Sequence, residues 1–202
     1  MHATFRLIRL ALLSLATTAA LAGCATFNQL NNDVSTYSQW PSGRPAGSYA
    51  FERLPSQQAR ADAQQRLEDA ARPAIEAAGF KPAADAQQAD FVIQVGARVT
   101  AYADPFDDPF FWRGSVFWGH RPFWGPGFGW GPSGPDYERE VAVLIRDRKS
   151  GQPLYEARAA NSGASPSIDS LLPAMFEAAL KDFPNPGINP RKVTTEITKK
   201  AP

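Results

Sequence analysis

Cysteine and histidine, the usual nucleophiles and soft metal ligands, are nearly absent from this chain of 202 residues. It has one cysteine, Cys24, and two histidines. A single cysteine excludes an intramolecular disulfide, and so few imidazole and thiol groups argue against a zinc site. We therefore expect no metal ion and no other cofactor. After the N-terminal segment, no apolar run is long enough for a transmembrane helix.

An excess of charge of one sign is also missing. The chain carries 21 basic and 20 acidic residues, with no long run of either sign. Binding to nucleic acid requires a basic patch or stripe, so nucleic acid is not an expected partner.

No catalytic signature is present either. The chain has no G-x-S-x-G elbow, and His120 lies in an aromatic, glycine-rich segment rather than beside a nucleophile. The segment Gly129–Gly134 spells G-x-G-x-x-G, but it lies among prolines and neither follows a strand nor opens a helix. The acids in Asp104–Asp108 fit Asp-Pro turns better than a calcium loop. The sequence therefore predicts a protein that is not an enzyme.

The first residues have the form of a secretion signal. Arg6 and Arg9 precede an apolar stretch, Leu10–Ala20, that is too short to span a bilayer comfortably. The following Leu-Ala-Gly-Cys resembles the lipobox of bacterial lipoproteins. This resemblance implies removal of residues 1–23, acylation of Cys24 with chains such as palmitate, and a lipidated tether over residues 24–33. An aspartate directly after the cysteine would resemble a signal for retention in the inner membrane. Because Ala25 occupies this position, the resemblance favours the outer membrane, with the domain facing the periplasm.

Apolar periodicity predicts one domain over residues 34–184. Alternation predicts strands at Val34–Trp40, near Tyr49–Arg53, at Ala89–Ala101, at Glu138–Arg148 and at Leu154–Ala160. Helical spacing predicts one helix over Gln57–Ala78, capped by Ser56 and kinked or split by Pro73, and another near Leu171–Leu180. The predicted fold is α+β: a mostly antiparallel sheet of four to five strands, two amphipathic helices on one face, and a long Gly/Trp/Pro-rich loop, with a flexible tail at 185–202.

That loop, the aromatic insert at 102–137, contains four tryptophans spaced six residues apart. Phenylalanine precedes three of them, so a Phe-Trp pair repeats. A six-residue spacing places these rings on one side of an extended chain but not of an α-helix. The candidate binding residues are Trp112, Trp118, Trp124, Trp130, Phe111, Phe117 and Phe123.

Three interpretations of the aromatic insert stay open. Its rings could pack on an open face of the sheet. They could bind a ligand, stacking on cell-wall glycan or on an extended segment of an envelope protein. They could also contact the membrane, since tryptophan favours the lipid headgroup region.

Several motifs occur in the order seen in one family. They are the lipobox, "SYAFERLP", "AAGF", "ADFVIQV", the Gly/Trp/Pro-rich insert, "VLIRDRKSGQPLYEARA" and "ALKDFP". Together they resemble bacterial outer-membrane lipoproteins that carry the domain of unknown function DUF4136. The resemblance implies a small α+β periplasmic domain anchored to the membrane by acyl chains, without an established activity. We expect a lipid-anchored envelope protein with a structural or adaptor role; a cell-wall glycan binder or a glycosidase-like hydrolase with paired carboxylates is the alternative.

Overall fold

The computed structural model describes residues 28–102 and 136–197, which form one sheet with helices. The strands are β1 (Gln29–Ser38), β2 (Ser48–Phe51), β3 (Lys81–Pro82), β4 (Phe91–Tyr102), β5 (Asp136–Asp147), β6 (Pro153–Gly163) and β7 (Arg191–Glu196). The helices are α1 (Pro55–Gln58), α2 (Ala61–Ala77) and α3 (Leu172–Leu180), with a short 3₁₀ turn at Ala86–Gln88.

The strands follow the order β3-β2-β4-β5-β6-β1-β7 across the sheet. The long strands β4, β5, β6 and β1 pair antiparallel, and β7 adds antiparallel to β1. The short β2 instead lies parallel to both β3 and β4. A single sheet with helices is therefore confirmed. The predicted count of four to five strands is too low, because seven form among the residues that the structure describes. The antiparallel arrangement is not complete, since β2 is parallel to its neighbours.

One face of the sheet carries the core. Alternate residues of the central strands are buried, among them Ile93 on β4 and Val143 and Ile145 on β5. Ile75 of α2 and Phe176 of α3 are fully buried in the same cluster. Because the two longer helices pack on each other and on this cluster, both lie on one face, as the sequence predicts.

The first predicted helix differs from the structure in where it breaks. α2 continues through Pro73 to Ala77, and the interruption falls earlier, between α1 and α2 at residues 59–60. The residue at the N-cap of α1 is Leu54 rather than the predicted Ser56. Past the helix, Gly79 has φ 96°, and Phe80 folds back into the core with 2% of its surface exposed.

Two predicted terminal segments are partly wrong. Residues 29–33, predicted as part of the tether, belong to β1, and residues 191–196, predicted as part of a flexible tail, form β7. In both strands polar residues alternate with apolar ones on the buried side. Asn32 and Thr195 are buried and joined by a hydrogen bond of 3.2 Å. Because these inward positions are polar, a search for apolar alternation misses β7 and the first part of β1, although it predicts a strand from Val34 onwards.

An ion pair fixes the loop after β1 to the end of β5. Arg44 donates a hydrogen bond of 2.7 Å to Asp147, and its guanidinium lies 4.5 Å from the centre of the Phe91 ring. The Ser150 amide and hydroxyl donate further hydrogen bonds to the Asp147 carboxylate. Arg44 first, and then Ser150, hold the pKa of Asp147 well below its usual range.

Replacement of Asp147 by asparagine is expected to lower the free energy of unfolding at neutral pH by about 1.5–3 kcal/mol. A lowered pKa stabilises the fold at pH values above the unfolded pKa, and this contribution disappears as the pH falls. The difference between the two proteins should therefore shrink as the pH falls from about 5 towards 2. Urea unfolding at several pH values measures it, with Asp62→Asn at an exposed helix position as the control. Equal stability at neutral pH would refute this role.

Candidate functional site

The predicted lipidation residue and the predicted aromatic binding residues lie outside the described residues. They are Cys24, Trp112, Trp118, Trp124, Trp130, Phe111, Phe117 and Phe123. Their roles stay predictions. The structure does show where the aromatic insert is attached, because Tyr102 at the end of β4 lies opposite Asp136 at the start of β5. The aromatic insert therefore connects the two strands at the end of a long antiparallel ladder.

Strand β4 has one edge that is only partly covered. β2 pairs with β4 at Phe91–Ile93, and beyond these residues no strand in the described part of the chain pairs with this side. The Ile93 carbonyl accepts a hydrogen bond from the Glu52 amide at 3.0 Å. Odd-numbered residues of β4 thus direct their backbone groups to this side, and even-numbered residues direct theirs to β5.

The register between β4 and β5 is continuous to Tyr102, so this alternation persists along the strand. Ala97, Val99 and Ala101 therefore direct their amide N–H and carbonyl groups away from the sheet. All three residues are exposed, and Val99 retains 37% of its surface. We call Ala97–Ala101 the open edge. Proteins usually protect such edges, because unpaired backbone groups are a template for another strand.

Two glutamines mark the point where the open edge begins. The side-chain amides of Gln57 and Gln64 both donate to the Val95 carbonyl, at 2.9 and 3.3 Å. The Gln57 side-chain oxygen in turn accepts from the Leu54 amide. From the sequence, these glutamines are only favourable helix formers. Their position at the start of the helical region gives no signal of a contact with β4.

A groove of about 270 Å³ runs beside the start of the open edge. Ala97 forms part of one wall, and Arg60, Gln64 and Arg66 lie along the other, with Asp169 at the side. Both arginines are exposed, and neither forms an ion pair with any residue in 28–102 or 136–197. The groove therefore has a positive excess, which favours an acidic ligand.

A larger groove of about 770 Å³ runs along the surface where α2 and α3 meet. Small apolar residues such as Ala70 and Ala74 line it, and the carboxylates of Asp69, Asp169 and Glu177 surround it. All three acids are exposed. A hydrolase with paired carboxylates needs one acid kept protonated by burial or by a neighbouring charge, so this groove gives no support to the hydrolase alternative.

No group of three or more potential metal ligands occurs within residues 28–102 and 136–197. Among the helices of these same residues, none is long and apolar enough to cross a membrane.

With the fold and the open edge described, comparison with known proteins identifies the class. The chain matches the family "Domain of unknown function (DUF4136)" over residues 33–185. The chain therefore belongs to this family, as its motifs predict. No curated protein matches the sequence.

Solved structures show similarity at low sequence identity. A PDZ domain protein from Parabacteroides distasonis aligns with a TM-score of 0.50 and 12% identity over 83% of this chain, which spans 39% of that protein's chain. A PelC dodecamer from Paraburkholderia phytofirmans has a TM-score of 0.39 and 15% identity, with 74% of this chain and 94% of that chain covered. A DUF4136 family protein from Bacteroides thetaiotaomicron has a TM-score of 0.19 and 17% identity, with 62% and 81% covered. At these identities the first similarity concerns the fold alone.

Proposed function

We propose that this protein is a non-enzymatic binding protein whose open edge takes up an extended, acidic segment of a partner polypeptide. The observation that carries the proposal is the row of outward backbone groups at Ala97, Val99 and Ala101 on an exposed strand. Strand addition uses such groups, because the peptide continues the backbone hydrogen bonding of the sheet.

The neighbouring groove supports a preference for acidic segments. Arg60 and Arg66 lie beside the open edge and outnumber the single acid, Asp169. A carboxylate on the added segment would meet an arginine without first breaking an existing ion pair. Backbone bonds would then supply the affinity, and the arginines would supply selectivity and faster association.

Replacement of Val99 by proline tests the proposal. Proline removes the outward amide of residue 99 without touching the ladder to β5, and prolines are tolerated on sheet edges in this orientation. The matched control is Val99→Ala, which keeps the amide. The probes are acidic peptides selected on the full chain from a random library, with affinities measured by fluorescence anisotropy. We expect the proline variant to bind about tenfold or more weakly than the alanine variant, since at least one backbone bond is lost.

Circular dichroism and thermal melting of both variants establish that they are folded. Equal affinity of the folded proline and alanine variants would exclude strand addition at the open edge. If the library yields no peptide that binds at the open edge, strand addition there is excluded as well.

We place this binding function at the outer membrane, on an acyl anchor at Cys24. The lipobox-like Leu-Ala-Gly-Cys and the preceding arginines support this location. A domain tethered to the membrane is held close to partners in the same compartment, which raises their effective concentration. Incorporation of a palmitate analogue into the full chain, but not into a Cys24→Ser variant, is the expected result; equal labelling of both would refute the anchor.

A further inference from the structure

Arg139 of β5 is a buried, positively charged residue. Its side chain faces the core side of the sheet, with 7% of the residue exposed, and it forms no ion pair with any residue that the structure describes. Burial lowers the pKa of Arg139. Arginines are almost never buried to this extent unless they are paired, because removing the charge from water is costly. This exception calls for a physical reason.

The hydrogen bonds of Arg139 use only part of its guanidinium. Nη2 donates to the Asn161 side-chain oxygen, and Nη1 contacts the Ser167 carbonyl at 3.5 Å, the limit of a hydrogen bond. Nε is buried and has no acceptor within residues 28–102 and 136–197. In a guanidinium, the Nε–H and one N–H of Nη2 point in the same direction and can together bind two oxygens of one anion.

The strands next to Arg139 form a cleft. β1 and β6 are paired as far as Asp33 and Ala160, and they separate beyond this pair. Across the separation, the side-chain amide of Asn161 donates to the Asn31 carbonyl at 2.7 Å. The resulting cleft has a volume of about 510 Å³. It is lined mainly by polar residues: Asn31, Asp33, Arg139, Asn161, Ser162 and Lys192.

The charged residues that line the cleft leave one net positive charge, that of Arg139. Lys192 donates to both oxygens of Asp33, at 2.7 and 2.8 Å, so these two lining residues neutralise each other. Gly163 also matters, because a Cβ at this position would lie 2.5 Å from Nη2 of Arg139. Glycine therefore leaves the space in which the guanidinium sits.

We propose that the cleft between β1 and β6 binds an oxyanion, a carboxylate or phosphate group, through the guanidinium of Arg139. The Nη1 contact with the Ser167 carbonyl is at the limit of a hydrogen bond, so it holds the guanidinium only weakly on that side. The Asn31 and Asn161 amides border the same space. Arg139 lies opposite Val99 in the register of β4 and β5, but the cleft lies on the β6 side of Arg139 and no residue of the open edge lines it. The proposal does not depend on the proposed strand addition.

The test is a titration of the full chain with sodium phosphate and, separately, with sodium acetate. Ionic strength is held constant with sodium chloride, which serves as the reference anion. The thermal unfolding midpoint is recorded for the wild type, for Arg139→Gln, and for Arg158→Gln as a control at an exposed arginine. We expect a saturable rise in the wild type and the control. Arg139→Gln should need about 10- to 100-fold more anion, since a charge-assisted hydrogen bond is lost.

If Arg139→Gln does not fold, NMR of the wild type decides, because the Nε–H resonance of Arg139 should shift with the titrated anion. A shift with phosphate only, or with acetate only, identifies the anion class. A midpoint that responds no more to phosphate and acetate than to chloride overturns the proposal. So does an unchanged response in a folded Arg139→Gln variant, or an Nε–H resonance that does not move.

Discussion

Replacement of Arg53 by methionine is expected to lower the free energy of unfolding by about 3–5 kcal/mol. Arg53 donates two hydrogen bonds of 2.6 Å, from Nε and Nη2, to the two carboxylate oxygens of Glu68. The Glu68 side chain is only 3% exposed, whereas that of Arg53 is 26% exposed. The substitution keeps the aliphatic part of the side chain but leaves a buried carboxylate without its partner.

This ion pair also links the segment after β2 to α2, so its loss should weaken the contact that holds α2 against the sheet. Urea unfolding monitored by circular dichroism measures the effect. Arg98→Met is the matched control, because Arg98 also pairs with a glutamate, Glu140, but its side chain is 68% exposed. The control should change stability by less than about 1 kcal/mol. Similar losses of stability in both variants would mean that the burial of the Glu68 carboxylate does not increase the effect.

Replacement of Phe176 by alanine is expected to cost about 3–5 kcal/mol, which is a large part of the stability of an ordinary domain. Phe176 lies on α3 with no exposed surface, and it belongs to the cluster that joins α2, α3 and the sheet. Removing its ring leaves a cavity that the surrounding strands and helices cannot fill without shifting.

Thermal and urea unfolding of Phe176→Ala measure this effect, with Tyr37→Ala as the control, because Tyr37 is an aromatic residue with 59% of its surface exposed. The control should change stability only slightly. A small loss of stability for Phe176→Ala would mean that α3 does not hold the helices and the sheet together.

Strong apolar periodicity explains which parts of the fold could be predicted. Every second residue is buried in the first half of β4 and along the middle of β5, as at Ile93, Val143 and Ile145. In α3, the apolar residues recur at helical spacing. Local sequence therefore specifies these elements, and their existence and type were predicted correctly.

The parts that sequence reasoning missed depend on partners far away in the chain. β7 has five polar or charged residues among its six and becomes a strand because β1 pairs with it. β3 has two residues, too few for any periodic signal. Pro73 suggested a break in the helix, yet packing of α2 on α3 keeps it continuous.

The candidate sites likewise include features that local sequence specifies and features that depend on distant parts of the chain. The sequence showed the aromatic residues of the insert but not the open edge, because an edge is defined by the strand that ends beside it. β2 stops at Phe51, and no other strand in the described part of the chain pairs with this side of Ala97–Ala101. Arg139 could be placed on the apolar face of its strand from alternation alone. Whether it had a partner could not be predicted, because Asn161 and Ser167 reach it only through the folding of β6 and the loop that follows.

Amide hydrogen exchange along β4, measured by NMR on the full chain, tests the claim of an open edge most directly. The amides of Arg98 and Thr100 point to β5 and should exchange slowly, whereas those of Val99 and Ala101 should exchange fast. Binding of a selected acidic peptide should then slow the fast amides. Slow exchange of Val99 and Ala101 in the free protein, or no change on peptide binding, would contradict the account.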